Sequence, residues 1–386
     1  MINYDPYSDS FHEDPYPVYR ELRDTAPVYH HPEQGFWAIS RYEDVAAALM
    51  RPQVFSSKRF LGPPPPSDPS SLMPIMVVLD PPRHDELRSL VNRAFTPQRI
   101  AALEPHIRDI TTDLVDSFID SGRCDLFRDL AAPLPTIVIA ELLGVPTEDR
   151  EMFKEKSIAI AASVGPAGVK NTDASFELAA YLSEVFTEKR KHPGDDLMSA
   201  LLTTEINGRA LSQEELMGFA LLLLVAGNET TTNLISNATI LLDRFPDQRA
   251  RLLEDRSLIG SAVEEFLRFE SPVQGVERLL TEDVVIQGQT IHRGEKVFLL
   301  LGAANRDERE IEDPDRFDVG RDPNPHLAFG FGAHFCLGAS LARLELRVVW
   351  EEILARFPKF QVVQPVERLH SATFRGMLSV PLELDT

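Results

Sequence analysis

The sequence contains very little cysteine. Only Cys124 and Cys336 occur among its 386 residues, which excludes a framework of disulfide bonds. The first residues, MINYDPYSDSF, also lack the cationic start and the apolar core of a secretory signal peptide. Together these absences predict a protein of a reducing, cytoplasmic compartment.

Positive charge and long apolar runs are also scarce. The 39 Lys and Arg residues are outnumbered by 60 Asp and Glu residues, and the formal net charge is −21. Nucleic acids and anionic membrane surfaces both require a cationic face, so neither is expected as a partner. The most apolar stretch, MGFALLLLVAG from Met217 to Gly227, is shorter than the roughly 20 residues of a membrane span. It is therefore interpreted as part of a buried core helix.

The hydrophobic pattern predicts a mainly α-helical fold with small β-sheets. Apolar residues recur at every third or fourth position from Arg83 to about Leu143, and more helix follows a glycine- and proline-containing break at 165–168. The runs PVYHH and GFWAIS predict two strands around a turn at Gly35, and DVVIQG and EKVFLLL predict further strands. Neither an internal repeat nor a clear linker is visible, so we predict a single domain over residues 1–386.

Two longer segments stand out in this pattern. The stretch from Ser212 to Glu215 has the residues of a capping box, and no proline follows until Pro246. This predicts a helix of some thirty residues, on the order of 50 Å long at about 1.5 Å per residue. The proline-rich stretch Gly62–Ser71 cannot be a helix or a central strand, and a long loop of this kind is typical of a lid.

The stretch FGFGAHFCLG, Phe329 to Gly338, surrounds one of the two cysteines. It does not fit a dinucleotide-binding fingerprint, because Phe335 replaces the third glycine and no strand–helix–strand unit surrounds it. A zinc site of His326, His334 and Cys336 would lack a second pair of ligands at usable spacing. The remaining interpretations are an inert buried thiol, the usual state of a lone cysteine, or a thiolate that binds a metal.

Glycines and a helix start distinguish Cys336 from an ordinary buried thiol. Gly330, Gly332 and Gly338 permit tight turns and the close approach of a flat, bulky group. The helix predicted from Leu337 to about Phe357 begins beside the sulfur, and its free N–H groups favour a thiolate. A thiolate held open in a glycine loop suits an iron ion.

This stretch resembles the heme-binding signature of the soluble bacterial cytochromes P450. The matching positions are Phe329, Gly330, Gly332, His334, Cys336 and Gly338. The resemblance extends over essentially the whole chain, and it implies a long central helix over a heme with the cysteine loop on the opposite side. It also implies that Cys336 is the axial thiolate of heme b, the type of ligand that favours O–O cleavage.

A second matching motif, AGNETT from Ala226 to Thr231, lies in the long predicted helix. Its glycine and successive threonines are poor helix formers and, taken alone, indicate a bend. The resemblance implies that Thr230 is the alcohol and Glu229 the acid that deliver protons during oxygen activation. It also implies that Ala226 and Gly227 leave room for dioxygen.

The motif EEFLRF contains charged residues that can pair on one helix. Arg268 lies three residues after Glu265 and four after Glu264, and the spacing alone permits either pair. The resemblance selects Glu265 and Arg268 and adds Arg316 from PDRF as a third member. Because buried charges must satisfy one another, the expected role of these residues is structural.

The resemblance also implies partners for the heme propionates and for electron transfer. Propionates require cationic or hydrogen-bonding groups, and the matching positions are His84, Arg88, Arg278 and His334. No flavin- or nicotinamide-binding segment is visible, so a ferredoxin or flavodoxin-type carrier with its NAD(P)H reductase is expected. A local basic patch for that carrier and ordinary solvated helix faces are both compatible with Arg93, Arg99, Arg343 and Arg347.

The sequence thus predicts a monomeric heme-thiolate monooxygenase that inserts one oxygen atom of O2 into an apolar molecule. A terpenoid, steroid, fatty acid or macrolide-like substrate is equally compatible with it. By family position, the substrate contacts are Phe60, Leu61, Met76, Val77, Leu223, Ala226, Thr230, Val273, Gln274, Val276, Thr373 and Phe374. A peroxide-driven peroxygenase and a non-catalytic heme-thiolate sensor or carrier are the alternatives, and the intact Glu229–Thr230 pair argues against both.

Overall fold

The computed structural model of the chain describes residues 2, 4–58, 75–92, 95–161, 164–165, 168–169, 172–194, 196–203, 205–206 and 209–385. The helices in this part are α1 (Asp9–Glu13), α2 (Tyr16–Thr25), α3 (Tyr42–Leu49), α4 (Arg83–Asn92), α5 (Pro97–Ala101), α6 (Glu104–Asp116), α7 (Pro133–Leu142), α8 (Arg150–Ala161), α9 (Thr172–Lys191), α10 (Leu197–Thr203), α11 (Gln213–Arg244), α12 (Pro246–Glu254), α13 (Ile259–Phe269), α14 (Leu301–Ala304) and α15 (Ala339–Arg356). The loop predicted at Gly62–Ser71 lies outside these residues.

The strands are short and form small sheets. They are β1 (Val28–His31), β2 (Phe36–Ile39), β3 (Phe55–Ser56), β4 (Arg123–Asp125), β5 (Val164–Gly165), β6 (Gly168–Val169), β7 (Glu205–Ile206), β8 (Arg209–Ala210), β9 (Val276–Leu280), β10 (Val284–Ile286), β11 (Gln289–Ile291), β12 (Lys296–Leu299), β13 (Lys359–Val362), β14 (Glu367–Arg368), β15 (Met377–Ser379) and β16 (Pro381–Asp385). The largest sheet has the order β1-β2-β12-β9-β3, and a second has the order β13-β16-β4. The prediction of a mainly helical fold with small sheets is confirmed.

The long central helix has the predicted start. The Ser212 hydroxyl accepts the backbone N–H of Glu215, and the Glu215 carboxylate accepts the backbone N–H of Ser212, which completes the capping box. The helix then runs for 32 residues, about 48 Å. Among the described residues, no helix combines the length and apolar character of a membrane-spanning segment.

Two hydrophobic cores meet along α11. Its N-terminal half packs against α7, α8 and α9, and its C-terminal half packs against α13 and α15. The segment 226–230 lies between these cores, and Ala226 is exposed although it is in the middle of the helix. The tertiary packing on both sides therefore stabilises a helix through a segment of poor local propensity.

One part of the helical prediction is wrong. Within the predicted helical region from Arg83 to Leu143, residues 123–125 form β4 and pair with β16 near the C-terminus. A single π-helical turn, Phe127–Ala131, then leads into α7. A partner more than 250 residues away fixes this strand, so local periodicity does not reveal it.

Candidate active site

The cysteine loop, Phe329 to Gly338, lies immediately before α15. The Cys336 N–H donates to the carbonyl of Phe329 at 2.9 Å, which closes the loop. Gly330 and Gly332 have φ angles of +68° and +70°, a conformation that residues with a side chain rarely adopt. The loop therefore requires glycine at these two positions for its backbone shape.

The glycines of this loop have different surroundings. A Cβ on Gly332 would lie 2.8 Å from the carbonyl oxygen of Leu49, so this glycine allows close packing against the end of α3. A Cβ on Gly338 would meet no protein atom within 4 Å among the described residues. Of the two, only Gly338 has the open space that the expected approach of a flat group requires.

The surroundings of Cys336 only partly favour a thiolate. Burial raises the pKa of the thiol, and it outweighs hydrogen bonds from the N–H groups of Gly338 and Ala339 and the positive charges of Arg88 and Arg343. The N–H groups at the helix start thus favour the thiolate as expected, but burial has the larger effect on the pKa. A metal ion bound to the sulfur would supply the missing charge, since a coordinating thiol is deprotonated outright. The sulfur and its N–H donors thus fit a heme iron.

Four basic residues from three parts of the fold meet at the cysteine loop: His84 and Arg88 from α4, Arg278 from β9, and His334 from the loop itself. The rings of His84 and His334 lie 4.1 Å apart, and the Ser57 hydroxyl is 3.1 Å from Nε2 of His334. Burial, with the charges of His84, Arg278 and Arg88, lowers the pKa of His334 to about 3. At neutral pH, His334 is therefore an uncharged group in a crowded cationic cluster.

The same cluster has few carboxylates, namely Asp85, which pairs with His84 at 2.8 Å, and Asp80, whose charge acts on Arg278. Burial lowers the pKa of Arg278 to about 10, with only Asp80 opposing the shift. Burial also lowers the pKa of Arg88, and Arg88 has no carboxylate partner within the described part of the chain. Two carboxylates placed here would restore the balance. The cluster therefore fits the two propionates of a heme.

Thr230 and Glu229 of α11 do not hydrogen-bond to each other among the contacts of the described residues. The Thr230 hydroxyl donates to the carbonyl of Ala226 at 2.7 Å, so its oxygen lone pairs are available to another donor. Glu229 is 8% exposed, and its Oε2 has no hydrogen-bond partner among the described residues. Burial raises the pKa of Glu229 to about 7. At neutral pH this carboxyl can therefore both donate and accept a proton.

Gly227 does not have the surroundings that were expected. A Cβ at this position would lie 2.8 Å from Cδ1 of Ile139 on α7. Gly227 therefore allows α11 to approach α7 closely, while the exposed Ala226 is the small residue that borders open space.

The ion pair on α13 is fully buried and involves Glu265. Arg268 donates to both Glu265 oxygens at 2.8 Å, and it also donates to the carbonyls of Asn305, Pro314 and Arg316. The structure thereby resolves the choice that the spacing left open, and the selection of Glu265 and Arg268 agrees with the contacts.

The third member of this group is Arg321, and the selection of the Arg316 side chain was wrong. The Arg316 side chain is 64% exposed and pairs with Asp318 at 3.3 Å. The Arg321 side chain is 12% exposed and lies 3.3 Å from Glu265. Arg321 also binds the carbonyls of Glu312, Asp313 and Arg316. The path of the loop therefore turns Arg316 outward and Arg321 inward.

The arginines after the cysteine loop are ion-paired. Arg343 makes two hydrogen bonds to Glu264 at 2.7 and 2.8 Å, and Arg347 pairs with Glu104 and Glu351. Although burial raises the pKa of Glu264, hydrogen bonds from Arg343 and His326 outweigh it and lower the pKa to about 2. These contacts oppose a free basic patch at Arg343 and Arg347. Arg99 is exposed, and Arg93 lies outside the described residues.

His326 and His334 have separate partners, which leaves no basis for the zinc alternative. His326 pairs with Glu264 at 3.0 Å, whereas His334 contacts Ser57 and His84. In the part of the chain that the structure describes, no three His, Cys, Asp or Glu residues are placed to hold a metal ion together.

The segments expected to contact substrate meet in two places. The turn Met76–Val78 contacts α11, which carries the half-buried Leu223. Val273 pairs with Phe374, and the Gln274 N–H donates to the Thr373 carbonyl at 2.6 Å, just before β9 begins at Val276. Phe60 and Leu61 lie outside the described residues.

A buried carboxyl that the sequence did not indicate lies behind the α11 segment. Glu345 of α15 is 2% exposed and hydrogen-bonds Thr231. Burial raises its pKa to about 8. The only sequence signal was a glutamate on a helix face that otherwise carries leucine and valine.

The chain is similar to known proteins over nearly its full length. A family model described as Cytochrome P450 matches residues 160–382. The vitamin D(3) 25-hydroxylase of Pseudonocardia autotrophica is 43% identical over 393 residues, which cover 99% of this chain and 96% of that protein. The structure of cytochrome P450 CYP109Q5 from Chondromyces apiculatus matches with a TM-score of 0.92 and 41% identity, covering 100% and 99% of the two chains. CYP109E1 from Bacillus megaterium in complex with testosterone matches with a TM-score of 0.88 and 37% identity, covering 97% and 100%.

Proposed function

Because the chain belongs to the cytochrome P450 family and is a monooxygenase of that family, we propose that it oxidises an apolar, steroid-like molecule with electrons from a separate carrier. The observation that carries the proposal is the cationic cluster beside the loop of Cys336, in which Arg88 has no carboxylate partner among the described residues and Arg278 and His334 are buried. A heme b bound through a thiolate activates O2 with two electrons, so that one oxygen atom enters the substrate and the other leaves as water.

The residues of the cysteine loop and the cationic cluster would hold this heme. Cys336 would bind the iron, and the N–H groups of Gly338 and Ala339 would stabilise the negative sulfur. His84, Arg88, Arg278 and His334 would bind the propionates, with neutral His334 as a hydrogen-bonding group. Phe329 and Gly330 would shape the loop, and the exposed Ala226 would leave space for the bound group.

Thr230 and Glu229 would move the protons that the reaction consumes. With its hydrogen bonded to the Ala226 carbonyl, the Thr230 hydroxyl can accept a hydrogen bond from a protonated group in the site. Glu229 has a pKa of about 7, so it releases and regains a proton near neutral pH. The two side chains follow one another on α11 and point in directions about 100° apart, so we infer that a bridging water joins them.

The substrate proposal follows from two of the relatives whose names include a ligand. One is a vitamin D(3) hydroxylase and the other was solved in complex with testosterone. The candidate contacts in this chain are mostly apolar, with Met76, Val77, Leu223, Val273 and Val276 among them. Hydrophobic contact with a rigid, apolar ring system suits such a lining. Gln274, Thr373 and Phe374 would be the remaining contacts among the described residues.

The electron donor is proposed to be a ferredoxin or flavodoxin-type carrier with its own NAD(P)H reductase. The chemistry requires two electrons, and a separate donor is the usual arrangement in this family. Because Arg343 and Arg347 are ion-paired, we expect reversal of their charge to disturb the local packing as well as any carrier contact. The cytoplasmic location and the monomeric state also stay predictions.

Thr230→Val tests the proposed chemistry. With testosterone or vitamin D3 as probe and a reconstituted ferredoxin chain, the variant should consume NAD(P)H but release hydrogen peroxide in place of product. Thr239→Val is the matched control, because Thr239 is buried on the same helix and likewise donates to a carbonyl one turn earlier. Unchanged product formation in Thr230→Val would contradict the role of the hydroxyl. Equal turnover with hydrogen peroxide alone would instead support the peroxygenase alternative.

A further inference from the structure

One face of α11 carries buried polar side chains that have no function in the site described above. Asn233, Ser236 and Asn237 are each at most 2% exposed, and they follow Glu229 by four, seven and eight residues. At about 3.6 residues per turn, these positions lie on the same side of the helix. We call Glu229, Asn233, Ser236 and Asn237 the polar stripe.

Three consecutive members of the polar stripe have unsatisfied polar atoms. Oε2 of Glu229, Nδ2 of Asn233 and Oγ of Ser236 find no hydrogen-bond partner within the described residues. Buried polar groups are nearly always hydrogen-bonded, to protein or to ordered water. A row of such atoms along one helix face is therefore suited to a chain of bridging waters.

The polar stripe leads to a cavity of about 110 Å³ at the C-terminal end of α11. Asn237 lines this cavity, and Ile240, Leu241 and Arg244 continue the same face of the helix along its wall. Its volume holds several waters, because a single one requires only about 10–15 Å³ on this measure. We call it the end cavity.

The end cavity is polar and borders the protein surface. Its other walls include Glu13, Asp14 and Arg368 and the buried ion pair of Glu270 with Arg375. The side chain of Glu13 is 67% exposed, and Asp14 and Arg244 are also exposed. Water and protons from solvent can therefore enter at this end.

The side chain of Asn233 is held in place between the two ends. A Cβ on Gly376 would lie 1.9 Å from Oδ1 of Asn233, so the amide packs directly on the backbone before β15. Asn237 is fixed in the next turn, where its Nδ2 donates to the carbonyls of Glu270 and Arg375. The Asn233 amide is thus packed against the backbone and the Asn237 amide is hydrogen-bonded, and both lie on the same side of α11 as Glu229.

We propose that the polar stripe is the route by which protons from the end cavity reach Glu229. This inference rests on the proposed function in one respect, namely that Glu229 is the group that supplies protons to Thr230. Each proton that Glu229 passes toward Thr230 is replaced by one from water in the end cavity, so the carboxyl returns to its starting state. Asn233 and Ser236 do not titrate; they position the waters that carry the proton.

The test is the rate at which the Glu229 carboxyl exchanges its proton with solvent in the heme-containing protein. At about pH 6, below its pKa of about 7, the protonated carboxyl has an infrared C=O band that Glu229→Gln removes. Transfer to D2O shifts this band as the proton is replaced. We expect the exchange to slow by roughly tenfold or more in Ser236→Val and in Asn233→Leu, and to be unchanged in Thr239→Val.

The outcomes separate this inference from the proposed function. Unchanged exchange in Ser236→Val would overturn the route, and would indicate that protons arrive from the substrate side. If Asn233→Leu does not retain heme, Ser236→Val still decides the question, because the Ser236 hydroxyl has no hydrogen-bond partner to lose among the described residues. The role of Glu229 fails on a different result, namely normal product yield without added peroxide release in Glu229→Gln.

Discussion

Replacement of Arg321 tests which arginine completes the buried ion pair of α13. Arg321 is 12% exposed in its side chain, lies 3.3 Å from Glu265, and donates to three carbonyls at 2.7, 2.9 and 3.1 Å. In Arg321→Met, Glu265 keeps Arg268 as its partner, so the full cost of an isolated buried charge is not incurred. The three lost hydrogen bonds, at about 1 kcal/mol each, give an expected destabilisation of about 3 kcal/mol.

Arg316→Met is the matched control for this prediction. Its side chain is 64% exposed and has one ion pair with Asp318 at 3.3 Å, so the expected cost is below about 0.5 kcal/mol. With an m-value of about 3 kcal/mol/M, the urea midpoint should fall by roughly 1 M in Arg321→Met and hardly move in Arg316→Met. Equal shifts in the two variants, or a larger shift in Arg316→Met, would refute the assignment of Arg321.

Three further predictions concern the site. Arg278→Met should release heme roughly 10- to 100-fold faster in transfer to a heme-scavenging protein, because a charge-assisted hydrogen bond contributes about 1.5–3 kcal/mol. Arg99→Met is the control, since Arg99 is exposed. Equal release rates in the two variants would contradict the propionate role of Arg278. Burial raises the pKa of Glu229 to about 7, so its protonated form stabilises the fold at low pH and this contribution declines as the pH rises toward 7. The urea stability of Glu229→Gln relative to the unsubstituted protein should therefore increase by about 2 kcal/mol from pH 5 to pH 8, and a constant difference would count against the buried, unpaired carboxyl. Gly332→Ala should cost about 1–3 kcal/mol in unfolding free energy, because of its φ of +70° and the Leu49 carbonyl 2.8 Å from the added Cβ; an unchanged urea midpoint would contradict this.

Features that depend on neighbouring residues could be predicted from the sequence. The capping box of Ser212 and Glu215 marks the start of α11, and the turn at Gly35 lies between two strands as expected. Resemblance supplied the family and the cysteine loop. These features are local, or they belong to a motif whose residues are close together in the chain.

Features that depend on distant packing could not be predicted. Arg321 replaces Arg316 because the loop path after α14 decides which arginine faces Glu265, and neither charge nor spacing distinguishes them. Gly227 was assigned to the space above the heme, whereas its neighbour is Ile139 on another helix. Glu345 meets Thr231 across two helices more than 100 residues apart. Each of these contacts is set by how the helices pack.

The most direct test of the central claim is the absorbance spectrum of the reduced carbon-monoxide complex of Cys336→Ser. The unsubstituted protein should show the thiolate spectrum of its family, because Cys336 would bind the iron. Cys124→Ser is the matched control, since Cys124 is buried in β4. We expect the thiolate spectrum to be lost in Cys336→Ser and retained in Cys124→Ser. A thiolate spectrum that persists in Cys336→Ser would contradict the assignment of this cysteine and the site built around it.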